Sequence, residues 1–328
     1  MTRKTLLGGV ALAALATSIA AAPVAAAEPS LTATVADGTL HIQGGPLSER
    51  IALRVSSVDR SQLQVDVGDD GSADHSFDLS TFRAIDVEAG NGNDTVRIDQ
   101  VNGNFTTTKA TRIDGQNGDD TLIGGSGNEV LVGGRGDDFV DGNGGVDTAF
   151  LGQGDDTFVW DPGDGSDVIE GGKGSDAMVF NGAGGNEIMA ATANGGRVSF
   201  TRNLGSIVMD LNDVEAIDVN ALGGADSVTI NDVGGTDLRR VTADLAAALG
   251  GSTSDGQPDT VTVVGTKGDD SIAADANGSA VDVSGLAAFV RITHADSDKD
   301  TLVIDRVAGT DDVVVDPALA ALIQVSVP

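Results

Sequence analysis

Apolar and polar residues alternate along much of this chain in runs that are too short for helices. Residues 31–36 and 39–43 both alternate, and Asp37-Gly38 separates them. Alternation with period two is typical of strands, and Asp-Gly is a favoured hairpin turn, so these residues predict a hairpin. Further strand-like runs occupy 51–55, 63–67, 77–79, 85–87, 197–201, 207–210, 217–220 and 261–264. The pattern therefore predicts an all-β protein.

Residues 115–179 follow a different period, in which one strongly apolar position recurs in every nine residues. Read in nines, with a two-residue insertion after the fifth unit, the segment contains seven units. Position eight is apolar in each unit: Leu122, Leu131, Val140, Ala149, Phe158, Ile169 and Met178. Position four is always glycine: Gly118, Gly127, Gly136, Gly145, Gly154, Gly165 and Gly174. Position six is always acidic: Asp120, Glu129, Asp138, Asp147, Asp156, Asp167 and Asp176.

This spacing favours a glycine-rich turn followed by a short strand in every unit. Glycines at positions one, two and four tolerate positive φ and allow the backbone to curve sharply. Such a turn directs carbonyl oxygens into one concavity, and the carboxylate at position six adds a charged oxygen. Calcium takes about six to eight oxygen ligands in flexible geometry, whereas zinc and copper prefer nitrogen or sulfur. Single Gly-x-Asp turns form without metal, but seven in register indicate calcium sites.

The units resemble the RTX (repeats-in-toxin) nonapeptide GGxGxDxUx, a calcium-binding repeat. The resemblance implies a right-handed parallel β-roll, or β-solenoid, in which two nonapeptides form one coil and each repeat stacks on the repeat two further along. Asp120, Asp138, Asp156 and Asp176 would then form a first column, and Glu129, Asp147 and Asp167 a second column. Parallel strands lie about 4.8 Å apart, so stacked carboxylates would repel without a cation between them. We expect roughly three to five calcium ions.

Several units depart from the consensus. Glu129 is one methylene longer than the aspartate that the consensus has at this position. The insertion Trp160–Asp161 must bulge from a turn, and either perturbs a site or presents Trp160 outward. Position one or two is not glycine at Gln116, Asn143, Leu151 and Pro162.

Related but weaker motifs flank the repeats. Asp94, in Ala89–Ile98, lies 26 residues before Asp120 and is therefore out of strict nonapeptide register. We interpret it as part of a preceding coil with an outlying site. Beyond residue 180, acids at equivalent positions are expected to be turn residues more often than ligands: Asp226, Asp259, Asp270, Asp300 and Asp311. The expected organisation is a signal peptide (1–27), an irregular N-terminal β region (28–88), the repeats (89–180) and a degenerate β-solenoid (181–328).

The composition supports an exported, metal-dependent protein. The 328 residues include 50 acids and 19 bases, a net charge of −31 that destabilises a compact state unless cations bind. No basic patch is present to meet phosphates, so a nucleic-acid partner is not expected. Arg3 and Lys4, the apolar stretch from Leu6 to Ala16, and Ala25-Ala26-Ala27 form a signal peptide pattern, and no later segment is apolar enough for a membrane helix. Cysteine is absent, so calcium rather than disulfides is expected to stabilise the secreted chain.

No catalytic residues are predicted. The sequence lacks H-E-x-x-H, G-x-S-x-G and cysteine, and its three histidines (His41, His75 and His294) are isolated. Two alternatives stay open. One is a calcium-dependent adhesin or surface-matrix protein with a cell-surface or extracellular-matrix partner. The other is a β-helix polysaccharide lyase or hydrolase, which would need a cleft joining Trp160 to carboxylates and a basic residue.

Overall fold

The computed structural model describes residues 31–328, and the predicted signal peptide (1–27) lies outside this range. The described residues form 28 strands and three short 3₁₀ helices (Leu79–Thr81, Leu204–Ser206 and Pro317–Ala321), with no α-helix. The all-β prediction is confirmed. Nothing helical in this part of the chain has the length and apolar character required to cross a bilayer.

The strands fall into three groups along the chain. The first six are β1 (Thr32–Ala36), β2 (Thr39–Gln43), β3 (Arg50–Val55), β4 (Gln62–Val67), β5 (His75–Asp78) and β6 (Ala84–Asn91). The next nine contain the nonapeptides: β7 (Thr95–Asp99), β8 (Ala110–Asn117), β9 (Thr121–Ile123), β10 (Glu129–Arg135), β11 (Phe139–Asp141), β12 (Thr148–Gln153), β13 (Thr157–Trp160), β14 (Val168–Lys173) and β15 (Ala177–Asn181).

The last group contains longer and less regular coils. It comprises β16 (Ile188–Asn194), β17 (Arg197–Arg202), β18 (Ile207–Asn212), β19 (Ala216–Asn220), β20 (Ser227–Ile230), β21 (Arg240–Asp244), β22 (Thr260–Val264), β23 (Ser271–Asn277), β24 (Ala280–Ser284), β25 (Phe289–Thr293), β26 (Thr301–Asp305), β27 (Asp312–Val315) and β28 (Gln324–Ser326).

Two 14-stranded sheets run through the described chain. One has the order β1-β2-β6-β8-β10-β12-β14-β18-β17-β16-β20-β22-β26-β28, and the other β27-β23-β24-β25-β21-β19-β15-β13-β11-β9-β7-β3-β4-β5. Most neighbours are parallel. Antiparallel pairs occur at β1–β2, β3–β4–β5, β16–β17–β18 and β23–β24–β25. The arrangement is a β-solenoid with antiparallel hairpins inserted in its flanking coils.

Repeats two units apart stack on each other, as two nonapeptides per coil require. Leu131 of β10 lies between Ile113 of β8 and Ala149 of β12 in one sheet. Val140 of β11 is paired with Leu122 and with Phe158 in the other sheet. The chain therefore alternates between the two sheets every nine residues.

The core lies between the two sheets and is built from the apolar position of each unit. All seven residues at position eight are at most 1% exposed. The predicted hairpin at residues 37–38 is also confirmed, since β1 and β2 pair antiparallel and Asp37 and Gly38 both have positive φ. Because position six precedes position eight by two residues, alternation along the strand directs its side chain inward as well.

Candidate metal centre

The seven acids predicted at position six are all buried, at most 2% exposed. Each stands where the glycine turn enters the following short strand, so its carboxylate lies at the edge of the core, beneath the turn. Burial of a charged carboxylate is costly unless hydrogen bonds or a cation compensate it. The contacts of these groups therefore decide what the turns can bind.

Hydrogen bonds between coils join the acids of the first column. The N–H of Asp120 donates to Oδ1 of Asp138 at 2.8 Å, and the N–H of Asp138 donates to Oδ1 of Asp156 at 2.7 Å. Asp156 donates in the same way to Asp176 at 3.0 Å. Each carboxylate thus satisfies a backbone donor of the preceding coil with one of its two oxygens.

The second column is built in the same way. The N–H of Glu129 donates to Oδ1 of Asp147 at 2.7 Å, and that of Asp147 donates to Oδ1 of Asp167 at 2.8 Å. The structure therefore brings the predicted residues together as two separate columns, one on each side of the solenoid.

The second oxygen of these carboxylates has no partner. A buried oxygen without a hydrogen bond remains on all seven acids: Oδ2 of Asp120, Asp138, Asp147, Asp156, Asp167 and Asp176, and Oε1 of Glu129. Most buried polar atoms in native proteins are paired, so a repeated unpaired anionic oxygen needs an explanation. A bound cation supplies one. Within residues 31–328 no three acidic or histidine side chains converge on one point, so such a cation must also use backbone carbonyls.

The environment disfavours the charged state of these acids while they lack a cation. Burial raises the pKa of Asp138 to about 7, and the charges of Asp156 and Asp120 add to the increase. Burial likewise raises the pKa of Asp147 to about 9, together with the charges of Asp167 and Glu129. A divalent cation beside the free oxygens would reverse these shifts by favouring the ionised form.

Glycines at position four make the turns, largely as predicted. Gly118, Gly136, Gly145, Gly154 and Gly174 all have φ between 115° and 141°. Gly165 lies outside the positive range, but a Cβ there would overlap the carbonyl oxygen of Gly145 in the preceding coil. Close approach of backbones therefore also requires glycine.

Glycine at position one was expected because it tolerates a positive φ, and this reason was wrong. Gly142 is needed, yet its φ is not positive. A Cβ at Gly142 would instead lie 2.5 Å from Oδ2 of Asp147, the acid of the same repeat. Position one is glycine here because the carboxylate occupies the space of a side chain.

The sequence comparisons agree with this arrangement. The family model of the RTX calcium-binding nonapeptide repeat finds four copies of the repeat. They lie within three matched ranges, residues 112–128, 123–158 and 163–186. Residues 112–186 carry RTX repeats. The donors available in these repeats are oxygens alone, and the unpaired buried carboxylate oxygens fit a hard cation such as calcium.

No curated protein matches the sequence. Among solved structures, the extracellular lipase LipA from Serratia marcescens matches with 13% identity and a TM-score of 0.16. The match covers 63% of the present chain and 44% of the lipase chain, so the present chain spans less than half of that protein.

Two departures from the RTX consensus are now explained. Glu129 accepts the N–H of Gly125 in its own turn, at 2.7 Å through Oε2, which leaves only Oε1 without a hydrogen bond. Trp160 is fully buried rather than outward, with its ring stacked on Phe180 at 4.1 Å and Nε1 donating to the carbonyl of Gly165 at 2.8 Å. A buried Trp160 cannot line the surface cleft that a sugar-cleaving enzyme would need.

Asp94 is in line with the RTX repeats, contrary to the expectation from residue counting. Its N–H donates to Oδ1 of Asp120 at 2.7 Å, and its own Oδ2 is buried and unpaired. The preceding coil has 26 residues rather than 18, but strand pairing between β6 and β8 restores the register. Asp94 therefore extends the first column by one coil.

The acids beyond the RTX repeats divide into two kinds. Asp226 and Asp259 do not bond their own turns as expected; their Oδ1 atoms accept the N–H groups of Glu187 and Asp226, both at 2.8 Å. Asp270 accepts the N–H of Thr266 in its own turn, whereas Asp300 accepts both the N–H of Asp296 in its own turn and the N–H of Asp259 in the neighbouring coil. These hydrogen bonds do not decide whether the acids are ligands, so the expectation that they are turn residues stays a prediction. Asp311 accepts the N–H of Asp270 from the neighbouring coil.

An exposed acidic column at position five was not foreseen. Oδ1 of Asp119 accepts the N–H of Asp137 at 3.0 Å, and Oδ1 of Asp137 accepts the N–H of Asp155 at 2.8 Å. These bonds run in the opposite direction to those at position six. The repeated Gly-Asp-Asp of three RTX units was the signal that could have identified them.

Proposed function

We propose that this is a secreted calcium-binding protein whose solenoid folds, or completes its folding, when several calcium ions bind between the stacked turns. The single observation that supports this proposal is the row of buried carboxylate oxygens without partners in both columns. The ligands we assign are the acids of the two columns and the backbone carbonyls of the adjoining glycine turns. We expect roughly three to five ions.

Bound calcium would neutralise the acids of the two columns with positive charge that no basic side chain supplies. In residues 31–328 none of the seven acids forms an ion pair with lysine, arginine or histidine. A ligand that binds the folded state and not the unfolded chain stabilises folding by mass action, so stability rises with calcium concentration.

Export of the chain is consistent with folding that depends on calcium. Extracellular calcium modules typically bind with Kd of about 0.1–1 mM, far above cytosolic calcium. A chain directed out of the cell by residues 1–27 would stay loosely folded inside and close after export. The function is one of binding, and we assign no catalytic residues to it.

A calcium titration of residues 28–328 tests the proposal. Far-UV circular dichroism follows strand formation, and fluorescence of Trp160, the sole tryptophan, follows packing of the core beside the repeats. Both signals should change together as calcium is added. Magnesium is the matched control, because it demands stricter octahedral geometry and should be much less effective. Strand content and tryptophan fluorescence that are the same in calcium-free buffer and in saturating calcium, together with a urea midpoint that calcium does not raise, would contradict the coupling of folding to calcium.

A further inference from the structure

The segment 44–52 is a coil equivalent to the RTX repeats, although it lies outside residues 112–186. Its sequence GGPLSERIA has glycine at positions one and two, Glu49 at position six and Ile51 at position eight, with leucine at position four. Strand pairing sets Arg50 beside Thr95 and Ile51 beside Val96, so Glu49 stacks on Asp94. Glu49 is the first acid of the extended first column.

The two carboxylates of this pair are buried and uncompensated. Glu49 is 3% exposed, and neither of its carboxylate oxygens has a hydrogen-bond partner. Asp94 is 1% exposed, with Oδ2 unpaired, while its Oδ1 accepts the N–H of Glu49 at 2.6 Å. Neither acid forms an ion pair among the described residues. Three unpaired carboxylate oxygens are thus enclosed between two neighbouring coils.

A similar pair further along the chain is neutralised by the protein itself. Glu187 stacks on Asp226, as Glu49 does on Asp94, and its N–H donates to Oδ1 of that aspartate. Arg202, 7% exposed, donates from Nε and Nη2 to Oε1 of Glu187, and Ala183 donates its N–H to Oε2. An arginine thus supplies the positive charge beside Glu187, whereas among the described residues no basic side chain forms an ion pair with Glu49.

We propose that Glu49 and Asp94 bind an additional divalent cation between the coils 44–52 and 89–97. The ligand is calcium, because the side-chain donors are carboxylate oxygens and the neighbouring glycine turn offers only carbonyls. The inference rests on the proposed function, since it assumes that the columns bind calcium. It adds a site in a region without a recognised repeat.

The isosteric variant Glu49→Gln tests the site in the chain 28–328. Native mass spectrometry at graded calcium concentrations counts bound ions, and hydrogen exchange reports on segment 44–52. We expect Glu49→Gln to bind one ion fewer than the wild type, and calcium to stop slowing exchange in residues 44–52. Slowing in residues 115–179 should persist. Glu88→Gln, an identical charge change on the adjoining strand at a partly exposed residue, should bind as many ions as the wild type.

Failure of this site and failure of the proposed function give different results. A wild type that binds no calcium contradicts both. A wild type that binds calcium, with an unchanged ion count and unchanged exchange in Glu49→Gln, overturns the additional site alone. If Glu49→Gln does not fold, the wild type still decides: exchange in 44–52 that is indifferent to calcium, while 115–179 responds, also overturns it.

Discussion

The N–H of Asp138 donates a 2.7 Å hydrogen bond to Oδ1 of Asp156, which lies 18 residues later, while Oδ2 of Asp156 has no partner. One oxygen thus holds two coils together and the other is left for a ligand. Because the same division recurs along the column, the acids have a structural role even without metal, and metal binding adds to it.

Replacing Asp138 and Asp156 in the centre of the first column should reduce calcium binding more than replacing Glu129, the first acid of the second column. Asp138 and Asp156 have acidic neighbours on both sides, whereas Glu129 stacks only on Asp147 and gives one oxygen to Gly125. We expect Asp138→Ala combined with Asp156→Ala to lose more calcium ions than Glu129→Ala. Calorimetric ion counts measure this.

The exposed acid Asp137 provides the control for charge alone. Asp137→Asn removes a negative charge beside Asp138 without touching the buried column, so its ion count should equal that of the wild type. A larger loss from Glu129→Ala than from the double variant would refute the assignment of the first column.

Gly142→Ala should damage a calcium site through its shape. The new Cβ would lie 2.5 Å from Oδ2 and 3.0 Å from Cγ of Asp147, which displaces the carboxylate. Overpacking of this kind costs about 1–3 kcal/mol. Urea unfolding in saturating calcium should show that loss, and calcium affinity should fall with it.

Gly144→Ala is the matched substitution in the same turn. Its Cβ would meet atoms no closer than 3.7 Å, and its φ is not positive. Stability within about 0.5 kcal/mol of the wild type is expected. Equal effects of the two substitutions would show that the contact with Asp147 is not the cause.

The sequence was sufficient to predict the repeats because stacking is regular there. With 18 residues per coil, counting alone places Asp120 beside Asp138, and the apolar period places Leu122 beside Val140. It was insufficient where coil length varies. Asp94 is aligned by the pairing of β6 with β8, and no count of residues shows that pairing.

The sequence alone also did not place Trp160 and Glu49, for local reasons. The sequence left two outcomes open for the insertion at Trp160, a perturbed site or an outward ring, but its large ring is buried against Phe180. Glu49 was overlooked because leucine replaces glycine at position four of its coil. Only the register of Arg50 with Thr95 reveals that it belongs to the column.

The metal-free protein should lose stability as pH rises. Burial raises the pKa of Asp120 to about 6, that of Asp176 to about 7 and that of Asp147 to about 9, from an ordinary value of 3.8. Between pH 3.8 and these raised pKa values, the folded chain holds more protons than the unfolded chain. The free energy of unfolding therefore falls with increasing pH. In calcium-free buffer the urea midpoint should therefore be higher at pH 5 than at pH 8.

Calcium should reverse this dependence. Carboxylates must lose their protons to bind the ion, so calcium affinity should increase from pH 5 to pH 8 and binding should release protons. Unfolding midpoints at both pH values, with and without saturating calcium, measure the effect. A metal-free protein that is more stable at pH 8 would contradict the raised pKa values.

Arg202→Gln should destabilise the chain strongly because it leaves Glu187 buried without its cation. Removing one partner of a buried ion pair costs about 3–5 kcal/mol. The side chains of Arg202 and Glu187 are 7% and 0% exposed. Arg240→Gln, which breaks the exposed 2.8 Å pair with Asp218, should cost less than about 1 kcal/mol. Urea unfolding in calcium-free buffer compares the two variants.

Saturating calcium should restore part of the stability lost in Arg202→Gln, since Glu187 and Asp226 would then resemble Glu49 and Asp94. Equal losses for the two arginines, or no response of Arg202→Gln to calcium beyond that of the wild type, would show that the guanidinium does not stand in for a metal.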